Sequence, residues 1–187
     1  MTKHLVAAAT TFFFLATCML LCCSCGGIAG LNPVQIENAK KGDDSWQLLK
    51  PALDHEIEGY ASAVSVNRGE DIAFFVNTKD GSFSLDIFRM GWYGGAGARN
   101  VLPTIILTGQ QQVLPNTDPQ TGLIECHWKY SYFLSVPSNP TDATDWASGV
   151  YLAKLTGVPS GYQSYIIFVV RDDSRRSDLL GDVTSIV

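Results

Sequence analysis

From Ser62 onward the chain is a series of short apolar runs at or near period two, broken by Gly, Pro, Asn and Asp. In Phe83-Ser84-Leu85-Asp86-Ile87 apolar and polar residues alternate, which puts Phe83, Leu85 and Ile87 on one face of a strand and Ser84 and Asp86 on the other. In Tyr130 to Val136 the same rule groups Tyr130, Tyr132, Leu134 and Val136. Ile72 to Val76, Val101 to Leu107, Val150 to Leu155 and Tyr165 to Val170 are apolar on both faces, rich in β-branched and aromatic residues, and too short for buried helices. With Ala61 to Val66 these make seven runs, and Gln110 to Leu114 is a weak eighth. Thr78-Lys79-Asp80-Gly81 carries the Asp-Gly signal of a hairpin between two of them. The pattern predicts an all-β protein, an immunoglobulin-like β-sandwich of about seven to eight strands.

The first 25 residues are a different object. Leu5 to Cys25 contains no charge, and Gly26-Gly27-Ile28-Ala29-Gly30 supplies small residues after it. This reads as an export signal, which places the mature protein in the periplasm, on the cell surface or in the medium. Two alternatives stay open: an uncleaved membrane anchor, since about 20 apolar residues span a bilayer, and lipid attachment at Cys25 in Ser24-Cys25-Gly26. Residues 26–44 read as a linker, 45–180 as the sandwich and 181–187 as a short tail.

The whole chain of 187 residues has a net charge of −5 and five cysteines. Without residues 1–25, which carry Lys3 as their only formal charge, 12 basic side chains face 18 acidic ones and Cys126 is the single cysteine left. An acidic chain without a basic stripe is not a nucleic-acid binder. One cysteine makes no internal disulfide, so stability rests on the core.

Complete catalytic sets are missing from the pattern. His55-Glu56-Ile57-Glu58-Gly59 places Gly59 where a zincin helix needs its second His. Glu125-Cys126-His127 puts a thiol and an imidazole on adjacent residues, which point to opposite faces of a strand. Gly161-Tyr162-Gln163-Ser164-Tyr165 lacks the second glycine of a nucleophile elbow. These residues argue for no metal, no cofactor and no active site in this chain.

The most distinctive stretch is Phe88-Arg89-Met90-Gly91-Trp92-Tyr93-Gly94-Gly95-Ala96-Gly97-Ala98-Arg99. It reads either as a tight turn in which Trp92 and Tyr93 cap the core, or as a docking surface built from Arg89, Trp92, Tyr93 and Arg99, residue types enriched at interface hot spots. Trp146 is a further aromatic of the loops. If Trp92, Tyr93 and Trp146 share one open face, a secreted module that grips polysaccharide or protein is the competing reading.

This stretch, preceded by His55 to Gly69 and Ile72 to Thr78 and followed by Ser148 to Gly157 and Gln163 to Asp173, resembles the N-terminal β-sandwich portion of the N,N-dimethylformamidase large (β) subunit family. The resemblance runs from about Asn32 to Leu180. It implies formamide hydrolysis by an iron that tyrosine and glutamate side chains hold in a larger downstream domain. No position here matches those ligands. The resemblance therefore implies a non-catalytic accessory domain, truncated before the catalytic part, whose partner is a catalytic domain or subunit of the same family.

Overall fold

The computed structural model describes residues 32–139 and 145–176. The expected export segment with Cys25, and the tail 181–187, lie outside them. Among the described residues are nine strands: β1 (Ile57–Ala61), β2 (Ser65–Asn67), β3 (Asp71–Thr78), β4 (Ser82–Met90), β5 (Ala98–Asn100), β6 (Ile105–Thr108), β7 (Tyr132–Ser135), β8 (Gly149–Val158) and β9 (Gln163–Arg171). One short helix, α1 (Pro33–Asn38), and two 3-10 turns, Asp44–Trp46 and Tyr93–Gly95, accompany them. No described helix is long and apolar enough to cross a membrane.

Two sheets form the predicted sandwich. The smaller has the order β1-β3-β7 and is antiparallel throughout. The larger runs β2-β9-β8-β4-β5, with β2 parallel to β9 and β6 sharing the outer edge of β4 with β5. β4 is its hub, paired along Ser82 to Arg89 with β8.

The alternation read from β4 holds: Phe83, Leu85 and Ile87 are buried between the sheets. They meet Ile72, Phe74 and Val76 of β3 and Phe168 of β9 in one core. Phe74 and Phe168 pack with ring centroids 5.4 Å apart, and Trp146 stacks on Tyr151 at 5.3 Å. Tyr151 is wholly buried and its hydroxyl donates to the Ala147 carbonyl at 2.8 Å, which satisfies the one polar atom the ring carries inside.

The outer face of the large sheet is apolar too, and the chain covers it itself. Phe88, Ala98 and Leu152 are buried there under Trp46, Met90 and Tyr165. A strap around residues 43–50 is fastened over them: Lys154 donates to the carbonyls of Ser45 (2.7 Å) and Gln47 (2.9 Å), and the Tyr165 hydroxyl to that of Trp46. Burial pushes the Lys154 pKa down against the pull of Asp86 and Asp43. The outer face of the small sheet is covered only in part among the described residues. Tyr60 stacks on Phe75 at 4.8 Å and meets Trp128 at 5.3 Å, while Tyr130 and Phe133 pack together and are more than half exposed.

Several expectations change. Thr78 to Gly81 makes no hairpin, because β3 and β4 lie in different sheets. The turn crosses between them, and the Asp80 carboxylate is spent on the Ser160 hydroxyl. Gln110 to Leu114 is irregular, since Gln112 turns its side chain to the backbone of Val76 and Lys129. The expected run Ala61 to Val66 is not one strand: β1 ends at Ala61 and β2 starts at Ser65. Tyr130 does not share the buried face of Leu134 and Val136, because β7 starts only at Tyr132. Residues Pro33–Asn38, inside the expected linker 26–44, form α1. There α1 buries Glu37, and a polar window with a short helix shows no period that sequence could display.

Candidate functional site

The glycine-rich turn links β4 to β5. Gly94 and Gly97 take φ of 67° and 87°, the left-handed region, so the chain reverses within a few residues. A side chain at Gly91 would collide with the Asn38 amide oxygen, and one at Gly97 would meet the Trp46 indole at 3.2 Å. The turn is thus clamped between α1 and the strap. Gly97→Ala, which meets both the strained φ and the indole, is expected to destabilise by about 1–2 kcal/mol in urea unfolding.

Five charged or phenolic groups meet behind the turn. Glu37 is fully buried and accepts from the Tyr93 hydroxyl (2.9 Å) and from Arg99 Nε (2.7 Å) and Nη2 (2.6 Å), with Lys40 Nζ 2.7 Å from its second oxygen. Arg89 donates to the Tyr93 hydroxyl (2.9 Å) and to the carbonyls of Ala147 (3.1 Å) and Ser148 (3.0 Å). Burial alone pushes the Glu37 pKa up, but hydrogen bonds from Lys40, Arg99 and Tyr93 prevail and hold it below the ordinary carboxyl value. Burial raises that of Tyr93. The phenol therefore stays a neutral donor to Glu37 and an acceptor for Arg89.

The four residues of the expected docking surface differ in their exposure. Arg89 and Tyr93 are buried, at 2% and 3% exposure, and Arg99 spends its guanidinium on Glu37. Trp92 alone of the four faces solvent, at 71%. Tyr93 caps the interior, as the tight-turn reading expects of it, and Trp92 is presented outward. Beside it an open groove of about 840 Å³ runs between Lys41–Asp44 and Gly95–Asn100, with Arg99 on its wall. Trp146 is buried on Tyr151, so Trp92, Tyr93 and Trp146 do not share one face.

The other candidates are dispersed. His55 bonds Glu58 at 2.8 Å on the surface. Cys126 and His127 lie in an irregular segment rather than a strand, and burial raises the Cys126 thiol pKa, which disfavours the thiolate. No group of three or more His, Cys, Asp or Glu side chains that could hold a metal occurs among the described residues. A tyrosine–glutamate pair of the type implied for the family's iron does exist, Tyr93 with Glu37. Arg89, Arg99 and Lys40 surround it with positive charge, so its donor set does not fit a cation. Nothing in the sequence signals the role of Glu37, because Lys40 is its one partner nearby in the chain and the others, Tyr93 and Arg99, lie more than 50 residues away.

No curated protein matches the chain. Among solved structures, it aligns with Pseudomonas fluorescens alkylpurine DNA glycosylase AlkC bound to DNA containing an abasic site analog, at 13% identity and a TM-score of 0.33. The alignment covers 62% of this chain and 30% of that one, and a likeness this low carries no argument. The profile of one family, described as N,N-dimethylformamidase beta subunit-like, C-terminal, matches residues 84–185, which run from β4 through the turn to the end of the sandwich and beyond. That label names a C-terminal portion, whereas the sequence resemblance was placed in the N-terminal one. With more than half of its length matched, the chain belongs to the N,N-dimethylformamidase β subunit-like family.

Proposed function

We propose that this chain is an accessory β-sandwich of a dimethylformamidase-like β subunit, non-catalytic itself, which docks onto a catalytic domain or subunit through the turn that carries Trp92. The observation that carries the reading is the contrast within that turn. Trp92 is 71% exposed while Tyr93 beside it is buried in the ionic network. A large aromatic held out on a backbone clamped from behind loses little entropy on binding, which is how interface anchors act. Arg89, Tyr93 and Arg99 then serve as positioning residues. Family iron ligands are assigned to the partner, and the segment 1–25 to export, with lipid attachment at Cys25 as its variant.

Trp92→Ala is expected to leave unfolding within about 0.5 kcal/mol of wild type and to weaken binding to a dimethylformamidase catalytic domain by roughly 30-fold, the scale of one hot spot. Isothermal titration reads the second effect and urea unfolding the first. The purified chain is expected to hydrolyse no dimethylformamide and to hold no stoichiometric iron. Iron at one equivalent by elemental analysis would overturn the reading. The alternative of a polysaccharide- or protein-gripping module loses its support with the burial of Tyr93 and Trp146.

A further inference from the structure

We infer that β7 is a self-complementary edge through which two copies of this chain pair into one continuous sheet. β7 ends the small sheet, and β3 occupies one side of it. Val136 N–H donates to the Glu70 carbonyl at 3.0 Å in the β3–β7 register, and Ala73 turns its own N–H and C=O to Ser62 on the β1 side. Antiparallel pairs alternate between bonded and non-bonded residues, so Leu134 bonds β3 while Phe133 and Ser135 aim their N–H and C=O groups away from it. Neither has a hydrogen-bond partner among the described residues for those groups, and both side chains are exposed.

Two outward-facing residues on either side of Leu134 fit a twofold axis. Running antiparallel, Phe133 meets the partner subunit's Ser135, and Ser135 meets the partner subunit's Phe133, with four N–H···O bonds made. Pro137, which has no N–H, stops the pairing one residue beyond Val136. The chemistry of the strand favours a second copy over a charged partner. Tyr132 to Ser135 contains no charged residue, no proline and no bulge, the devices that ordinarily blunt an edge.

The side chains agree with the backbone. Phe133 lies on the same outer face as Tyr130, Phe75, Tyr60 and Trp128, an apolar surface on which Phe133 and Tyr130 are more than half exposed. Pairing joins two such surfaces into one and sets each Phe133 ring beside a small serine.

Sedimentation equilibrium of the full chain tests this. Wild type is expected to sediment at twice its 20.3 kDa mass at high micromolar concentration. Ser135→Pro removes an outward N–H that no bond among the described residues uses, and Phe133→Lys puts a charge on the apolar outer face. Both are expected to give the monomer mass with an unchanged circular dichroism spectrum and melting temperature. Association through the apolar N-terminal segment would persist in both variants. A monomeric wild type, or a dimer that survives both substitutions, would overturn the inference.

Discussion

Tyr151→Ala is expected to remove about 3–5 kcal/mol of unfolding free energy, the largest loss for a single substitution among those argued for this chain. The ring is wholly buried, stacked on Trp146 and tilted against Phe168 at 5.6 Å, so truncation opens a cavity bounded by two rigid aromatics that close poorly. The hydroxyl accounts for a small part. Tyr151→Phe keeps the ring and leaves the Ala147 carbonyl with its Arg89 donor alone, at a cost of about 1 kcal/mol. Urea unfolding monitored by near-ultraviolet circular dichroism separates the two. The midpoint should fall slightly for phenylalanine and several-fold further for alanine, at an unchanged slope. Equal losses in both variants would show that the hydrogen bond, and not the packing, holds this end of β8. For a domain whose total stability is in the range of about 5–15 kcal/mol, the alanine variant is close to unfolding at 25 °C.

Glu37→Ala should cost about 2–4 kcal/mol, below the full penalty of a broken buried pair because Arg99 and Lys40 reach water. The loss arises from what remains: a buried Tyr93 hydroxyl without its acceptor and a guanidinium aimed at an empty site. Glu37→Gln restores an acceptor without charge and should recover part of the loss. The sign of the pH dependence follows from the depressed carboxyl. Its stabilisation is fully present above the unfolded carboxyl pKa of about 4.3 and is lost as pH falls through the lower folded value. Wild type and Glu37→Gln should therefore differ most near neutrality and converge in acid. A constant gap between their urea midpoints from pH 6 to pH 3 would contradict the ionic role.

The sandwich was legible wherever burial imposes a short period on the chain. Phe83, Leu85 and Ile87 had to share a face whatever β4 paired with, and they do. What a strand pairs with is a separate matter. Asp80-Gly81 is as good a signal for a turn between sheets as for a hairpin, because the turn fixes only the reversal and β3 and β4 find partners elsewhere. The candidate site was legible as a stretch and not as a surface. Its glycines marked a reversal, and Gly94 and Gly97 do adopt it. The roles of Arg89 and Tyr93 were hidden because Arg89 depends on the distant carbonyls of Ala147 and Ser148, and Tyr93 on Glu37, a carboxylate in a polar window whose burial no local period encodes. Trp92 and Tyr93 are neighbours with opposite fates, and only the clamp behind the turn decides between them.

The order of strands in the large sheet has a consequence for how the chain reaches this state during synthesis. β4 pairs Arg89 with Tyr151 and Ser82 with Val158, so its hub edge stays empty until nearly all of the sandwich has left the ribosome. The β8–β9 hairpin, closed through Pro159 to Tyr162, is the local unit on which that edge can condense. A topology with so many distant pairings folds in milliseconds to seconds rather than microseconds. Throughout that interval Phe83, Leu85, Ile87 and Phe88 stand in water on a strand whose β8 edge is unpaired, which makes β4 the segment a holding chaperone would engage in a nascent chain.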